Sequence, residues 1–518
     1  MTHRSVLRRL LITVGAALLL VATGSAGAAT APETVQIKID ARASGTPFPH
    51  FWETMFGSGR AALALRDDYR QDLDTVRKAT GFGYVRFHGI FDHDVGLVTR
   101  EPDGSIRYNF SYIDQIYDGL LEHHVRPFVE LSFMPPALSS DPKALQEFWY
   151  HPNIAPPKDY AAWDAMITAF AKHLIARYGM DEVASWYFEV WNEPNIGFWA
   201  GKPAQPTYFT LYDHTVRALK AVNPRLRVGG PSTAQGAWVP AFLAHAKKNH
   251  LPVDFVSTHV YGDDTAKNVF HTDENIARRD MVCRTVDMVH QQILASPYPH
   301  LPLIFSEYNA SYANLPNVTD SIFMGPWMAN TIRECAGKIQ IMSYWAFSDV
   351  FEEQGIVRNP FYGGFGLMAA GRIPKPSFNA FAMLHKLGGW QLKSTSNSAL
   401  VTRRDDGTLV LALWNYASPV GNSASYTPGE PKGAPKRFSI DVRRLAADAH
   451  ATVWRLDETH GNAVALFNQM GRPDSPSREQ IVQLRAAGQL AAPESMALHN
   501  GKLELTIPPQ GLVLVELR

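Results

Sequence analysis

The chain has 518 residues, of which 46% are hydrophobic and 19% charged, with 49 Lys+Arg against 49 Asp+Glu. This length accommodates one large domain and a smaller one. The charge balance gives no basic field that would attract nucleic acid or an anionic membrane, so we expect a neutral substrate and no nucleic-acid partner.

The first thirty residues have the pattern of an export signal. Basic residues between His3 and Arg9 precede an apolar run over residues 10–21, and small residues follow up to Ala29. The apolar run is too short to span a bilayer comfortably. The pattern predicts a signal peptide over residues 1–29 and a mature protein that is periplasmic or secreted, with no membrane association after cleavage.

Two cysteines occur, Cys283 and Cys335, and both fall in helix-like segments. An exported protein can bridge such a pair, but the sequence does not place them within bonding distance. We therefore expect buried free thiols. Two cysteines alone cannot form a structural zinc site.

Short apolar runs, rich in β-branched and aromatic residues, alternate with amphipathic helical patterns. Eight such strand-like runs occur, at residues 48–57, 82–88, 126–132, 186–191, 227–230, 255–259, 303–307 and 341–345. Helical patterns separate them, for example at residues 159–178, 207–222 and 275–294. Eight repeats predict an α/β fold, a closed (β/α)8 TIM barrel. A doubly wound open sheet would alternate similarly, but no G-x-G-x-x-G or P-loop motif follows any strand.

Beyond about residue 385 the pattern changes to short strands separated by turn residues, which predicts an accessory antiparallel β-sandwich domain. Residues 33–39 are expected to donate a strand to it. The predicted organisation is a signal peptide at 1–29, an N-terminal strand at 30–47, the catalytic barrel at 48–388 and the sandwich at 389–518.

Two glutamates end strand-like runs. Glu193 follows the fourth run, where Pro194 stops the strand, and Glu307 ends the seventh. A TIM barrel builds its active site at the carboxyl ends of its strands. Glycoside hydrolysis requires two carboxyl groups flanking one bond, and Asn192 could bind the sugar 2-hydroxyl. The plainer alternatives are a helix cap or turn at Asn-Glu-Pro and an exposed glutamate at a strand end.

Several blocks together resemble glycoside hydrolase family 39. They lie at residues 85–91, 188–195, 257–261, 343–353 and 361–367, so the similarity spans roughly residues 48 to 390. The resemblance implies a retaining β-xylosidase, with Glu193 as acid/base and Glu307 as nucleophile. It implies no cofactor and no metal, and a carbohydrate substrate such as a xylo-oligosaccharide.

The resemblance also implies residues that hold the sugar. The matching positions are Asn192, His259, Tyr261, Trp345 and Glu352, with His88 near the same subsite. Alternatives stay open for each. The aromatic and histidine side chains could simply pack in the barrel, and Glu353 competes with its neighbour Glu352 to point inward.

Other activities of this family remain alternatives: α-L-arabinofuranosidase, α-L-iduronidase and endo-glycosidase. No Arg or Lys adjoins the eighth-strand block before Arg358, which disfavours an iduronidase with its anionic sugar. A non-catalytic carbohydrate-binding protein is disfavoured by the presence of both glutamates. Relative to xylosidases of the family that the chain resembles, the region after Pro509 is short. Some members use a longer tail in oligomer contacts, so the resemblance implies a monomer rather than a tetramer.

Overall fold

The computed structural model describes residues 33–445 and 449–518. The predicted signal peptide lies outside the described residues. Within those residues, no helix has the length and apolar character needed to cross a membrane.

The described part of the chain contains eight parallel strands that close into a barrel, as predicted. The strands are Met55–Arg60, Tyr84–His88, Arg126–Glu130, Tyr187–Glu189, Arg227–Thr233, Phe255–Tyr261, Leu303–Asn309 and Ile341–Tyr344. The long helices that follow them are Asp67–Thr80, Ser111–Glu122, Tyr160–Tyr178, Ala204–Val222, Val239–Lys248, Arg278–Leu294, Met324–Cys335 and Pro376–Leu384. The barrel fold is therefore confirmed.

The first long helix shows why the sequence folds this way locally. Helix Asp67–Thr80 has acidic residues in its first turn and basic residues in its last, which complements the helix dipole. Gly81 ends it in the left-handed conformation at φ +68°, which glycine adopts without strain. Its buried side chains, Tyr69, Asp72, Leu73, Val76 and Thr80, recur at three- and four-residue spacing. That stripe faces the barrel.

The predicted sandwich consists of two sheets. Its three-stranded sheet contains Thr34–Asp40, Lys436–Arg443 and Lys502–Ile507, so the expected N-terminal strand is present. This strand pairs in parallel with Lys436–Arg443, whereas an antiparallel pattern was expected. The seven-stranded sheet runs Thr46–Pro47, Trp390–Leu392, Ala399–Arg403, Leu409–Trp414, Leu512–Leu517, His450–Leu456 and Glu494–Ala497.

The larger sheet packs against both the smaller sheet and the barrel. Along strand Leu409–Trp414, Leu409, Leu411 and Leu413 enter the sandwich core, while Val410, Ala412 and Trp414 join the barrel core. Alternate side chains of a strand point to opposite faces. A strand that lies between two cores therefore has apolar residues at every position. Barrel and sandwich belong to one compact unit, Glu33–Arg518, and the boundary at residue 388 stays a prediction.

Several elements lie outside the predicted pattern. The sandwich carries helices Ala463–Gln469 and Arg478–Ala487, whose apolar side chains pack on Phe361, Ala369 and Ile373 after the eighth barrel strand. Hairpins and short helices occur at Val98–Arg100 with Ile106–Tyr108, Met368–Ala369 with Ile373–Pro374, Ala61–Leu65, Met180–Val183, Ala234–Gly236, Ala266–Val269 and Pro316–Thr319.

The expectation of free thiols is wrong, because Cys283 and Cys335 form a disulfide. They lie on neighbouring barrel helices, Arg278–Leu294 and Met324–Cys335, with 5.1 Å between their Cα atoms. The 52-residue separation conceals this proximity, since only packing of adjacent barrel helices brings the two residues side by side.

Candidate active site

A cavity of about 310 Å³ opens at the carboxyl ends of the barrel strands. Of the predicted site residues, it is lined by His88, Asn192, Glu193, Tyr261, Glu307 and Trp345. His259 is fully buried beside Glu193. Glu352 does not line the cavity, whereas Glu353 does. The structure thus brings together seven of the eight predicted positions.

Glu193 is held at the cavity by an unusual backbone conformation. The fourth strand ends at Glu189, and Glu193 then adopts a positive φ of +42°. Its backbone N–H donates to the carbonyl of Ser232 on the fifth strand at 2.7 Å. A non-glycine residue in this region is strained and persists only where surrounding contacts fix it. The strain accompanies a carboxyl group directed into the cavity.

Glu307 reaches the cavity through a β-bulge in the seventh strand. Thr258 pairs with Phe305, but the next residue, His259, pairs with Glu307, so Ser306 is the extra residue. A bulge breaks the in–out alternation of a strand. Consequently, the neighbouring side chains of Ser306 and Glu307 both point inward, where they bond Glu189 and Arg86 respectively.

The two predicted catalytic carboxyl groups face each other. Oxygen atoms of Glu193 and Glu307, together with a ring nitrogen of His259, lie within 4.8 Å of one another. Retaining glycosidases hold their carboxyl groups about 5–5.5 Å apart, whereas inverting enzymes leave about 6.5–9.5 Å for a water molecule. This proximity of one oxygen from each carboxyl group agrees with the closer, double-displacement arrangement rather than with the wider inverting one.

Arg86, on the second strand, contacts three carboxylates beneath the cavity. Its guanidinium bonds Glu307 Oε1 at 2.6 Å and Glu189 Oε2 at 2.6 Å, and it lies 2.7 Å from Glu130 Oε2. It also donates to Asn192 Oδ1 at 2.9 Å. That bond leaves the amide nitrogen of Asn192 free to face a substrate. Sequence reasoning missed Arg86, although a charged residue inside an apolar strand was the available signal.

The buried network compensates its own charges. Arg86 is fully buried; burial alone would lower its pKa, but the carboxylates of Glu130, Glu189 and Glu307 outweigh this and raise it. Burial opposes the charged form of His88 as well, yet Glu130, bonded at 2.8 Å, helps raise the pKa of His88 to about 10. The attraction between the paired charges offsets the free-energy cost of removing each charge from water, which would be prohibitive for either partner alone.

Glu193 has the electrostatics of a proton donor. Burial raises its pKa from 4.5 to about 7, against the lowering influence of His88 and Arg86. A carboxyl group that remains protonated near neutral pH can serve as a general acid.

The partners of His259 support the same protonation state. Burial lowers the pKa of His259 to about 4, so its ring is neutral at neutral pH. His259 Nε2 lies 3.1 Å from Ser306 Oγ and 3.4 Å from Arg86 Nη2. Ser306 donates its hydroxyl proton to Glu189 at 2.5 Å, so the shorter of these two contacts has Nε2 as the donor to Ser306 Oγ. In a neutral imidazole the other nitrogen is then an acceptor. Nδ1 lies 3.0 Å from Glu193 Oε1 and can therefore accept a proton held by Glu193.

Two aromatic side chains complete the floor of the cavity. Tyr261 donates its hydroxyl to Glu307 Oε2 at 2.6 Å, which fixes the second oxygen of that carboxylate. Trp345 lies against the ring of His88, with 4.7 Å between centroids. Gly57 permits this position, because a Cβ there would lie only 2.2 Å from Trp345 Cε3. A flat aromatic face of this kind suits a sugar ring.

The prediction for Glu352 requires correction. Its carboxylate turns away from the cavity and bonds Arg60 at 3.0 Å and Arg66 at 2.9 Å. Glu353 takes the inward position, with Oε1 3.6 Å from His88 Nε2. Burial raises the pKa of Glu353 to about 7. The sequence offered two adjacent glutamates in an irregular loop, and only the folded loop determined which one faces inward.

Comparisons with known proteins agree with this geometry. A profile of the family described as glycosyl hydrolases family 39 matches residues 35–501. A β-xylosidase of Geobacillus stearothermophilus is 37% identical over 470 residues, covering 89% of this chain and 90% of that protein. A β-xylosidase of Caldicellulosiruptor saccharolyticus is 35% identical over 482 residues, covering 90% and 95%.

The fold has a close counterpart among solved structures. The crystal structure of a monomeric β-xylosidase from Caulobacter crescentus CB15 has a TM-score of 0.85 at 36% identity and covers 93% of this chain and 99% of that one. With the family profile and a carboxyl pair at the barrel mouth, these similarities establish that the chain is a glycoside hydrolase belonging to family 39.

Proposed function

We propose that the protein is a retaining, exo-acting β-xylosidase that releases xylose from xylosides or xylo-oligosaccharides. The observation that carries the retaining mechanism is the separation of the Glu193 and Glu307 oxygens, within 4.8 Å. The sugar specificity is supported by the two curated relatives, both β-xylosidases, which align along almost their whole length.

The first step assigns different tasks to the two glutamates. Glu307 attacks the anomeric carbon while protonated Glu193 gives its proton to the departing glycosidic oxygen. Arg86 and Tyr261 hold the two oxygens of Glu307, which keeps the nucleophile oriented as its charge passes to the sugar. In the second step Glu193, now ionised, removes a proton from water, and that water releases the sugar from Glu307 with retained configuration.

Substitution of each glutamate tests these assignments. We expect Glu307→Ala to abolish turnover, because no covalent intermediate can form. Glu193→Ala should retain activity on aryl xylosides with good leaving groups, and azide should restore its turnover by forming a β-xylosyl azide. Glu352→Gln is the matched control, since Glu352 lies outside the cavity. A β-azide product from Glu307→Ala instead would show that the two roles are reversed.

The stereochemistry provides an independent test. Proton NMR of the earliest product should show the β-anomer of xylose, which later mutarotates. An α-anomer appearing first would contradict the retaining mechanism.

The charge of the cavity favours a neutral sugar over a uronic acid. Among the described residues that line it, there is no Lys or Arg, and the cationic ring of His88 is already paired with Glu130 at 2.8 Å. The acidic residues that line it are Glu193, Glu307, Glu353, Asp263 and Asp264. An iduronide would have to place its carboxylate in this acidic environment at a Coulombic cost. A panel of aryl β-xyloside, β-glucoside, α-L-arabinofuranoside and α-L-iduronide decides among these activities. Equal rates on xyloside and glucoside would contradict the β-xylosidase proposal.

The protein is further proposed to act after export, as a monomer. The Cys283–Cys335 disulfide supports an oxidising compartment, which agrees with the signal pattern over residues 1–29. The monomeric Caulobacter enzyme supports the oligomeric state. N-terminal sequencing of the exported protein should begin near residue 30, and light scattering should give the mass of one chain.

A further inference from the structure

Three side chains that can bind a metal ion meet at the end of the barrel opposite the cavity. His50 and Glu53 precede the first strand, which begins at Met55, and His385 directly follows helix Pro376–Leu384. The amino end of the first strand and the carboxyl end of the last helix lie at the same end of a (β/α)8 barrel. These residues take no part in the chemistry described above.

The donor atoms of this cluster converge on one point. His50 Nδ1 lies 2.5 Å from Glu53 Oε1, and His385 Nδ1 lies 2.8 Å from the same oxygen. One ligand atom from each residue lies within 4.8 Å of the other two. Tetrahedral zinc, with bonds of about 2.0–2.2 Å, holds its ligand atoms roughly 3.3 Å apart. To admit an ion, each of the two ring nitrogens must move away from Glu53 Oε1 by less than about 1 Å.

The carboxylate of Glu53 gives a second, independent indication of a ligand. Glu53 is only 4% exposed, and its Oε2 is buried without a hydrogen-bond partner among the described residues. A buried carboxylate oxygen normally has a partner, since leaving it unpaired costs free energy. A bound cation would compensate the charge and use this oxygen directly or through water.

The surroundings hold the ligands while leaving access from solvent. The ring of His50 stacks on Trp52 at 4.4 Å, which fixes its orientation. The side chains of His50 and His385 are 26% and 44% exposed, so an ion can enter and retain a water molecule as fourth ligand. Two cationic side chains lie nearby, but each contacts a group other than Glu53: Lys386 lies over the ring of Trp454, and Arg404 bonds Glu516.

We propose that His50, Glu53 and His385 form a zinc site that ties the beginning of the barrel to its end. Two imidazoles and a carboxylate are ligands that Zn²⁺ favours, and they discriminate against Mg²⁺ and Ca²⁺, which prefer oxygen. The ion joins residues that are 332 positions apart, at the seam where the last helix packs beside the first strand. Because binding is specific to the folded chain, zinc stabilises the barrel.

The experiment must separate this site from the active-site trio Glu193, His259 and Glu307, whose donor atoms are also within 4.8 Å. We therefore use the full chain carrying Glu307→Gln, stripped of metal, and titrate it with ZnCl2 by calorimetry. One ion per chain should bind. Adding His385→Gln should weaken binding at least about tenfold, as expected from loss of a ligand.

Thermal unfolding gives the second readout, in the same Glu307→Gln background, so that the trio Glu193, His259 and Glu307 cannot account for the effect. Zinc at about a hundredfold excess over Kd should raise Tm by about 2 °C, and this rise should vanish in His385→Gln and in His50→Gln. His245→Gln is the matched control, because His245 forms a similar half-buried pair with Asp213 elsewhere and should retain the full effect. If circular dichroism shows that one ligand variant is unfolded, the other decides. Absence of binding, or binding that survives both ligand substitutions, would overturn the proposal.

Discussion

The pH dependence of the enzyme should report the protonation of Glu193. Burial raises the pKa of this carboxyl group from 4.5 to about 7, and the first step requires its acid form. Because the pKa is raised, the acid form of Glu193 is complete at low pH and is lost as pH rises through about 7. The acid fraction, and with it kcat/KM, should fall to about one-tenth at pH 8 and about one-hundredth at pH 9.

The assay is kcat/KM for alkyl and aryl β-xylosides between pH 4 and 9, since this parameter reports the pKa values of the free enzyme. A poor leaving group such as a simple alkoxide should show the full alkaline limb in the wild type. In Glu193→Gln, an activated aryl xyloside needs no proton, so the limb should disappear for that substrate.

Glu353 supplies the competing explanation, because burial also raises its pKa to about 7. Glu353→Gln should retain the alkaline limb, although its overall activity falls. A limb that survives in Glu193→Gln and disappears in Glu353→Gln would refute the assignment of Glu193 as the titrating acid.

Three further predictions test other parts of the site. Glu353→Gln should lower xyloside kcat/KM at least about 10-fold, the loss expected for one charged hydrogen bond, whereas Glu352→Gln should change it little. Steady-state kinetics of both variants tests this, and the reverse pattern would contradict the inward placement of Glu353. Gly57→Ala should lower kcat/KM by up to about 10²-fold, because the added Cβ would lie 2.2 Å from Trp345 and must displace the indole ring. If this variant had the kinetics of the wild type, a positioning role for Trp345 would be excluded. Arg86→Met should lower the unfolding free energy by about 3–5 kcal/mol, since it leaves three buried carboxylates without their shared cation; an unchanged urea midpoint would contradict that account.

The barrel and the pair of glutamates at its mouth could be predicted because both depend on local patterns. Eight apolar runs alternating with helical patterns allow few architectures other than a parallel barrel. Glu193 follows such a run and Glu307 ends one, and the carboxyl ends of all barrel strands meet at one mouth. Residues 192, 259, 261 and 345 occupy comparable strand-end positions.

Other features depend on contacts between distant segments, which the local sequence does not specify. Arg86 stands in an apolar strand, and only closure of the barrel places it among Glu130, Glu189 and Glu307. The bulge at Ser306 likewise depends on pairing with the neighbouring strand rather than on the sequence of the seventh strand itself.

The irregular loop after the eighth strand and the disulfide illustrate the same limit. Glu352 and Glu353 are chemically identical, so their composition cannot indicate which one faces the cavity. The structure turns Glu352 toward Arg60 and Arg66, which lie 292 and 286 residues earlier in the chain. Cys283 and Cys335 form their bridge only because two barrel helices pack side by side. The sequence thus determined the strand-end chemistry through local periodicity, whereas the tertiary structure decided every contact that requires distant segments to meet.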